Sequence, residues 1–441
     1  MTEKDESLRP CITRRQFITG LGASVIATAC SGRSITVFKQ DTSTSSLSRI
    51  ASGSKLAIAT APAGSFASTM DRTLVVVEFG GGNDVLNTVV PHSDGHYFDL
   101  RKTLAIKDSI DLDGEVGLNP ELGALADQWT AGNLAIVEGV GIEGPDLSHF
   151  ESMRRWWDGT DKPDHTGWLG RYLDGTSGYD ELLAGITLGS NPSQAMLGGG
   201  SFVVNIADAS GLGGAIPWWI EDREELMAAW AGFAPAGVPI AELTPIQRAI
   251  SGTVAANTIL SEKTGPLEAA IAEGKIAEEE SETMASQLRL AATLIASGVN
   301  PRVIYIHGYT DFDTHEDQAD THRKMMRDFN AGVSAFTQIL ADADMSDRAL
   351  IMTTSEFGRR PKDNDGGTDH GAASSQLLIG PAISGGRYGE PLSLTDLDGD
   401  DNMKHNVDFR SVFATVLDGW LETDHADILR GEFEKLPLFR R

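Results

Sequence analysis

Short runs of Val, Ile and Leu alternate along the chain with segments of helical periodicity, and this alternation constrains the fold most. The runs are short and typical of strands buried on both faces. Five strands are predicted: Leu74–Phe79, Leu134–Glu138, Val303–His307, Leu350–Thr354 and Gln376–Ile379. Helices are predicted at Pro120–Thr130, Phe150–Trp157, Ile220–Trp230, within Pro245–Ser297, at Ala319–Ala341 and at Phe409–Leu421. The order of elements predicts an α/β domain with a mostly parallel central sheet and helices on both faces.

Segments without this alternation indicate the domain organisation. Residues 31–71 are rich in Ser, Thr, Ala and Gly and have little periodicity, so a flexible spacer is predicted there. A single folded domain is predicted from residue 72 to residue 441. Within it, segment 174–218 is rich in glycine and poorly patterned, which favours loops or a substrate-side insertion.

The first 30 residues have the order of features found in a twin-arginine signal peptide. Arg14 and Arg15 precede an apolar run, Phe17–Ala29, that ends in small residues. The run has roughly 13 residues, whereas about 20 are needed to span a bilayer. No later stretch is long and apolar enough, so no transmembrane span is expected in the mature chain. Export through the twin-arginine translocase to the periplasm or the cell surface is therefore expected.

Cys30 leaves open whether the exported protein is free or attached to a lipid. It follows Ala27-Thr28-Ala29 directly, which is an acceptable though imperfect lipoprotein cleavage site. Either the mature protein is free, or an acylated Cys30 anchors it to a membrane surface.

The charge of the chain excludes some classes of partner. It has 36 Lys and Arg against 63 Asp and Glu, a net charge of −27. Such a surface repels nucleic acid and anionic lipid, so no nucleic-acid partner is expected. An anionic substrate would need a local positive centre, such as a metal ion or a buried arginine.

Polar residues follow the predicted strands where ligands bind in an open parallel sheet, beyond the carboxyl ends. Carboxylates and imidazoles at these positions are suitable donors for a divalent metal ion. Either Asp311 or Asp313 is a candidate ligand next to His315. The other candidates at strand ends are Asp84, Glu356, Asp369 and His370, with Arg359 available for an anionic group.

Ser148 lies at the predicted start of a helix, after the strand Leu134–Glu138. A helix N-terminus stabilises negative charge, which suits a nucleophilic hydroxyl. Serine is also a favoured N-cap residue, and Glu151 three positions later would complete a capping box. Both interpretations remain open from the sequence.

Several motifs together resemble one known family. The stretches LVVVEFGGGNDVLNTVVP from Leu74, LRKTLAI from Leu100, SHF from Ser148, GWLGRYL from Gly167, SEFGR from Ser355 and GTDHG from Gly367, together with Asp313–His315, carry the resemblance. The chain resembles the bacterial twin-arginine-exported proteins of domain of unknown function 1501, which are similar to the alkaline phosphatase and sulfatase superfamily. The resemblance implies an alkaline phosphatase-like fold.

The resemblance also implies roles for the strand-end residues. Asp84 would be the first metal ligand, Ser148 the nucleophile, and Asp313 with His315 would bind one ion. Glu356 stands where the superfamily usually has Asp, and His370 would be the late histidine ligand. This set is one ligand short, and either Asp369 or His149 would compensate, or the site holds a single ion. The ions expected are Zn, Mg, Mn or Ca.

The function implied is an exported, metal-dependent hydrolase of phosphate or sulfate esters, with Arg359 helping to hold the anion of a small anionic ester or glycan substrate. The alternative is a non-catalytic secreted or surface protein that binds a ligand, a carbohydrate or a metal on the same fold.

Overall fold

The computed structural model describes residues 71–177, 181–189, 191–206, 242–272, 283–307 and 311–440, with isolated positions at 229, 231, 232 and 238. The chain divides into two compact units: residues 58–217 with 255–441, and residues 1–57 with 218–254. The predicted signal peptide, nearly all of the spacer and most of the helix at 220–230 lie outside the described residues. The single domain over residues 72–441 stays a prediction, because most of 218–254 is also outside them.

The larger unit contains a nine-stranded sheet in the order β13-β5-β12-β9-β1-β8-β6-β7, with β14 also paired to β5. All neighbouring strands run parallel except β12, which is antiparallel to β5 and β9. Its strands are β1 (Thr73–Glu78), β5 (Leu134–Gly141), β6 (Gly185–Leu188), β7 (Val203–Ile206), β8 (Val303–Ile306), β9 (Ala349–Thr354), β12 (Ser374–Ile379), β13 (Gly386–Tyr388) and β14 (Val407–Asp408). Short ribbons comprise β2 (Val89–Val90), β3 (Ile110–Asp111) and β4 (Gly117–Leu118), and β10 (Gly358–Arg359) with β11 (His370–Gly371).

Helices cover both faces of the sheet. Alternate residues of β1 enter two apolar clusters: Val75 and Val77 pack with Phe329, and Leu74 and Val76 pack with Phe413. Every residue of β1 is therefore buried, as expected for a central parallel strand. The helices are α1 (Val85–Thr88), α2 (Gly95–Leu100), α3 (Gly123–Thr130), α4 (His149–Asp158), α5 (Trp168–Thr176), α6 (Pro245–Ala272), α7 (Met284–Ala296), α8 (Gln318–Asp342), α9 (Phe409–Gly419) and α10 (His425–Leu429).

This architecture confirms the predicted α/β class and mostly parallel sheet. The prediction of loops over segment 174–218 was wrong for part of it, because β6 and β7 extend the sheet there. Both strands have only four residues and lie among glycines, so their pattern is too short to be distinguished from loop sequence. No helix in the described part of the chain is long and apolar enough to cross a bilayer.

Candidate metal centre

Three histidines and one aspartate converge at the edge of the sheet where the parallel strands end. Asp313 and His315 follow β8, and His149 begins α4 after β5. His370 lies just before β12, and because β12 is antiparallel its first residue lies at this same edge. Residues up to 221 positions apart in sequence therefore meet because the strand ends are adjacent.

The ligand atoms of these residues are spaced like the ligands of a bound ion. The Nε2 atoms of His315 and His370 are 3.0 Å apart, and they lie 3.1 and 3.2 Å from Oδ1 of Asp313. The Nε2 atom of His149 lies 3.4 Å from Oδ2 of Asp313. Four ligands at about 2.0–2.1 Å from a tetrahedral zinc ion would be about 3.3 Å apart. His149, Asp313 and His370 each have a donor atom within 4.8 Å of the others, so these three fit one ion, and His315 adjoins them through its contacts with Asp313 and His370.

The other ring nitrogen of each histidine contacts an oxygen outside this group. Nδ1 of His149 lies 2.8 Å from Glu356 Oε1, and Nδ1 of His370 lies 2.8 Å from the carbonyl of Leu147. Nδ1 of His315 lies 3.6 Å from Asp369, a longer ion-pair contact. Since a carbonyl only accepts, His370 donates from Nδ1. Outer acceptors of this kind direct Nε2 toward a metal ion.

Asp313 is kept ionised by its neighbours. Burial by itself would raise the pKa of this carboxyl, but the hydrogen bond from Arg359, followed by the contact with the His370 ring, lowers it to about 2. The pKa of His149 is raised, mainly by its hydrogen bond to Glu356. An anionic carboxylate between imidazoles attracts either protons or a metal cation, so metal binding should release protons.

Glu356 contacts His149 through Oε1, whereas its other carboxylate oxygen is buried without a hydrogen-bond partner among the described residues, so its role as a ligand stays a prediction. Its Oε1 accepts from the backbone N–H of Gly81 and contacts His149, both at 2.8 Å. The Glu356 side chain is only 2% exposed. The glycine turn after β1 makes this contact possible. Gly82 has a φ of 82°, and a Cβ there would lie 2.4 Å from the ring of Phe357.

Substituting Glu356 by alanine is expected to weaken metal binding about 10-fold to 100-fold, because His149 would lose the acceptor that orients its ring. The pKa of His149 should fall at the same time, since that hydrogen bond raises it. Metal titration and NMR titration of the imidazole would measure the two effects. Glu356→Gln retains an acceptor for Nδ1 and should keep more of the affinity, whereas equal affinities in both variants and wild type would contradict this role.

Asp84 lies elsewhere, and its predicted role as the first ligand is corrected. Both of its oxygens accept from Arg101, at 2.5 and 2.9 Å, and one also accepts from Gln318. Asp84 and Arg101 are fully buried. Burial alone would raise the pKa of Asp84, but the adjacent guanidinium of Arg101 keeps it lowered. Asp84 therefore stabilises the turn and α1 as half of a buried ion pair.

Arg359 is committed to the protein, which corrects its prediction as an anion-binding residue. Its side chain is fully buried, and it contacts Asp313 at 2.6 Å. All three of its nitrogens also donate to backbone carbonyls of the loops that surround the centre, at Gly81, Gly82, Phe312 and Thr368. Arg359 thus holds the strand-end loops together and fixes Asp313.

Ser148 is the N-cap of α4, but its side chain makes no capping hydrogen bond. The predicted capping box is not formed, because Glu151 pairs with Arg154 and Arg155. The Ser148 side chain is exposed next to His149, so the nucleophile role stays a prediction. Asp311 is also exposed, and Asp313 is the carboxylate that meets the histidines.

A second group with metal-type donors comprises Asp418, Asp424 and His425 near the C-terminus. Lys435 pairs with Asp418 at 2.6 Å, and Nδ1 of His425 lies 2.9 Å from the same carboxylate. Asp424 caps α10 through the N–H of Ala426. These side chains satisfy one another, so the group stabilises the chain end.

Residues 242–434 match the family model described as "Protein of unknown function (DUF1501)". This match confirms the predicted resemblance over that segment, which includes Asp313, His315, Glu356, Arg359 and His370. His149 and Ser148 lie before it. No curated protein matches the chain.

Solved structures of the alkaline phosphatase superfamily are among those similar to this chain. A protein in that superfamily from Vibrio parahaemolyticus is 8% identical with a TM-score of 0.37, over 90% of this chain and 79% of the other. Wild type alkaline phosphatase PafA is 8% identical with a TM-score of 0.37, over 84% and 97%. Phosphonate monoester hydrolase SpPMH from Silicibacter pomeroyi is 8% identical with a TM-score of 0.36, over 83% and 75%. At such values we transfer no residue role from these proteins.

Proposed function

We propose that this chain is an exported, metal-dependent hydrolase of phosphate or sulfate esters. The observation that carries the proposal is the convergence of three imidazole Nε2 atoms on Asp313, with the Nδ1 atoms of the rings in contact with oxygens outside the group. The ester class rests on the resemblance of the sequence motifs to a superfamily of such hydrolases. The site lies at the carboxyl edge of a parallel sheet, which is where ligands bind in this architecture.

The donor chemistry favours a transition metal ion such as zinc over magnesium or calcium. His149, His315 and His370 offer nitrogen and Asp313 offers oxygen, whereas Mg²⁺ and Ca²⁺ prefer oxygen ligands throughout. A divalent ion in this group would act as a Lewis acid and would lower the pKa of a neighbouring hydroxyl or water.

Other residues of the chain would orient the metal ligands and supply the nucleophile. Arg359 and the oxygens at the Nδ1 atoms would fix the four donors, and Asp313 would balance the charge of the ion. The exposed hydroxyl of Ser148 lies at the N-terminus of α4, where the helix dipole stabilises developing negative charge. Ser148 is therefore the proposed nucleophile.

The proposal is tested with purified full-length protein. We expect about one bound transition metal ion per chain, and turnover of p-nitrophenyl phosphate or p-nitrophenyl sulfate that chelation abolishes and zinc or manganese restores. Magnesium and calcium should restore less of this turnover than zinc or manganese. Protein that binds no ion and hydrolyses neither ester under any of these metals would overturn the proposal.

A non-catalytic metal-binding protein is the second candidate. The observation in its favour is that the Arg359 side chain is fully buried and each of its three nitrogens donates to the protein. Stoichiometric metal binding without turnover of either ester, together with an unchanged metal affinity in Ser148→Ala, would favour this candidate.

The location of the protein belongs to the proposal as well. Arg14-Arg15 and the apolar run that follows support export through the twin-arginine translocase, to the periplasm or cell surface, with Cys30 as a lipid attachment point in the anchored form. Cell fractionation tests this. A wild-type chain that stays in the cytoplasm at full length would contradict export.

A further inference from the structure

A buried hydrogen-bond network connects the Asp84–Arg101 ion pair with the loop that carries His370. The hydroxyl of Thr368 donates to Oε1 of Gln318 at 2.6 Å, and Nε2 of Gln318 donates to the carboxylate of Asp84. Four residues of this network are fully buried, namely Thr368, Gln318, Asp84 and Arg101. Away from water, hydrogen bonds are stronger and an unpaired polar group costs more than at a surface. The network therefore forms a rigid link between the ion pair and the loop.

Gln318 joins the two halves of this network, and its amide suits both partners. The carboxylate of Asp84 only accepts hydrogen bonds, whereas the hydroxyl of Thr368 donates one here, so the residue between them must offer a donor and an acceptor. A methionine at this position would leave the buried hydroxyl of Thr368 without its acceptor. Asp84→Asn would retain an oxygen that accepts from the amide, so the link to Thr368 would persist in that variant.

The link continues from Thr368 to ligands on two loops. Thr368 lies two residues before His370 in the chain. Its backbone N–H donates to the carbonyl of Thr314 at 3.1 Å, and Thr314 stands between Asp313 and His315. The position of Thr368 therefore affects the ligands of both loops.

The backbones of these two loops are in close contact. The N–H of Gln318 donates to the carbonyl of Gly366 at 3.0 Å. A Cβ at Gly367 would lie 2.2 Å from the carbonyl of His315, so only glycine allows the loops to approach this closely. Both the backbone and the side chain of Gln318 thus bind the loop that leads to His370.

We propose that Gln318 is a positioning residue for the metal centre. Acting through Thr368, it fixes the distance between the loop that contains His315 and the loop that contains His370. The Nε2 atoms of these two histidines are 3.0 Å apart, and a shift of either loop would change this spacing. The inference rests on the metal-binding part of the proposed function and is independent of which ester is hydrolysed.

Gln318→Met in the full chain tests the inference, because methionine has a similar length and lacks the amide. We expect this variant to bind zinc about 10-fold more weakly than wild type, as for other residues that orient metal ligands from outside. The absorption spectrum of the cobalt-loaded variant should also differ from that of wild type, since it reports the geometry of the ligands.

Gln287→Met is the matched control. Gln287 is also buried, with 3% of its surface exposed, and it lies on α7, which carries none of the four converging residues. Its replacement by methionine makes the same chemical change in the core away from the centre. Zinc affinity and the cobalt spectrum of this variant should be those of wild type.

Thr368→Val tests whether Gln318 acts through Thr368. Valine removes the hydroxyl and should weaken zinc binding as much as Gln318→Met. The double variant should bind zinc about 10-fold, and not about 100-fold, more weakly than wild type, because both changes break the same contact. Circular dichroism would show whether each variant folds, and if Gln318→Met does not fold, the result for Thr368→Val decides.

Three results would overturn the inference and leave the proposed hydrolase standing: wild-type affinity with an unchanged cobalt spectrum in folded Gln318→Met, an equal loss of affinity in Gln287→Met, or additive losses in the double variant. Wild type that binds zinc but hydrolyses neither ester would contradict the hydrolase and not this inference. Wild type that binds no ion would contradict both.

Discussion

Replacing His370 by asparagine is expected to abolish stoichiometric metal binding and, with it, ester hydrolysis. Nε2 of His370 lies within 3.2 Å of both His315 Nε2 and Asp313 Oδ1, so its loss removes a donor from the middle of the centre. We expect metal affinity to fall by at least about 100-fold, which exceeds the effect of losing a residue that only orients a ligand. Metal titration followed by elemental analysis of the dialysed protein would measure it.

His96→Asn is the matched control. His96 is an exposed histidine whose ring contacts Asp94 at 2.9 Å, so its substitution should leave metal binding unchanged. Circular dichroism would show that both variants fold, since the His370 side chain is itself 20% exposed. Wild-type metal affinity in His370→Asn, or equal losses in both variants, would contradict the assignment of the centre.

Replacing Asp84 by asparagine is expected to destabilise the fold by about 3–5 kcal/mol, because Arg101 would remain buried without a charged partner. Its metal affinity, measured at a temperature where the variant is folded, should stay close to that of wild type. Denaturant unfolding would measure the loss of stability, with Asp108→Asn as the control because Asp108 is exposed. A stable Asp84→Asn variant without metal affinity would restore the role predicted from the sequence.

The same ion pair gives a pH dependence of known sign. The pKa of Asp84 is lower in the folded state than in the unfolded chain, where a free Asp has a pKa of about 3.9. Its contribution to stability is therefore complete above that pH and is lost as the pH falls toward the folded-state value. The free energy of unfolding of wild type should fall over this acidic range. In Asp84→Asn the fall should be smaller, because the variant has no carboxylate to protonate at this position.

The sequence identified most residues of the centre but not their roles. Asp313, His315 and His370 were predicted ligands, and they converge because parallel strand ends share an edge. His149 was only an alternative to Asp369, although its position directly after a predicted strand-to-helix connection was a usable signal. Glu356 and Arg359 were assigned to the ion and to the substrate, and in the structure they contact His149 and Asp313.

Those roles could not be read from residue type and spacing. A carboxylate at a strand end is equally suited to bind a metal, to orient an imidazole or to neutralise a buried arginine. In the structure Asp313 meets His315, Glu356 contacts His149 and Asp84 pairs with Arg101. Which of these occurs depends on the partner that packing brings within about 3 Å, because hydrogen bonds and ion pairs act only over such distances. Arg101 is such a partner of Asp84, and nothing in the motif that contains it shows that it pairs with this carboxylate.

The sequence by itself determined the α/β class, the buried central strands and the edge of the sheet at which polar residues collect. These follow from local periodicity and from the rule that parallel strands end at one edge. Only the tertiary structure decided that β6 and β7 extend the sheet, that Asp84 is paired with Arg101, and that three imidazoles meet Asp313. The physical reason is that each depends on contacts between residues distant in sequence, which no local pattern specifies.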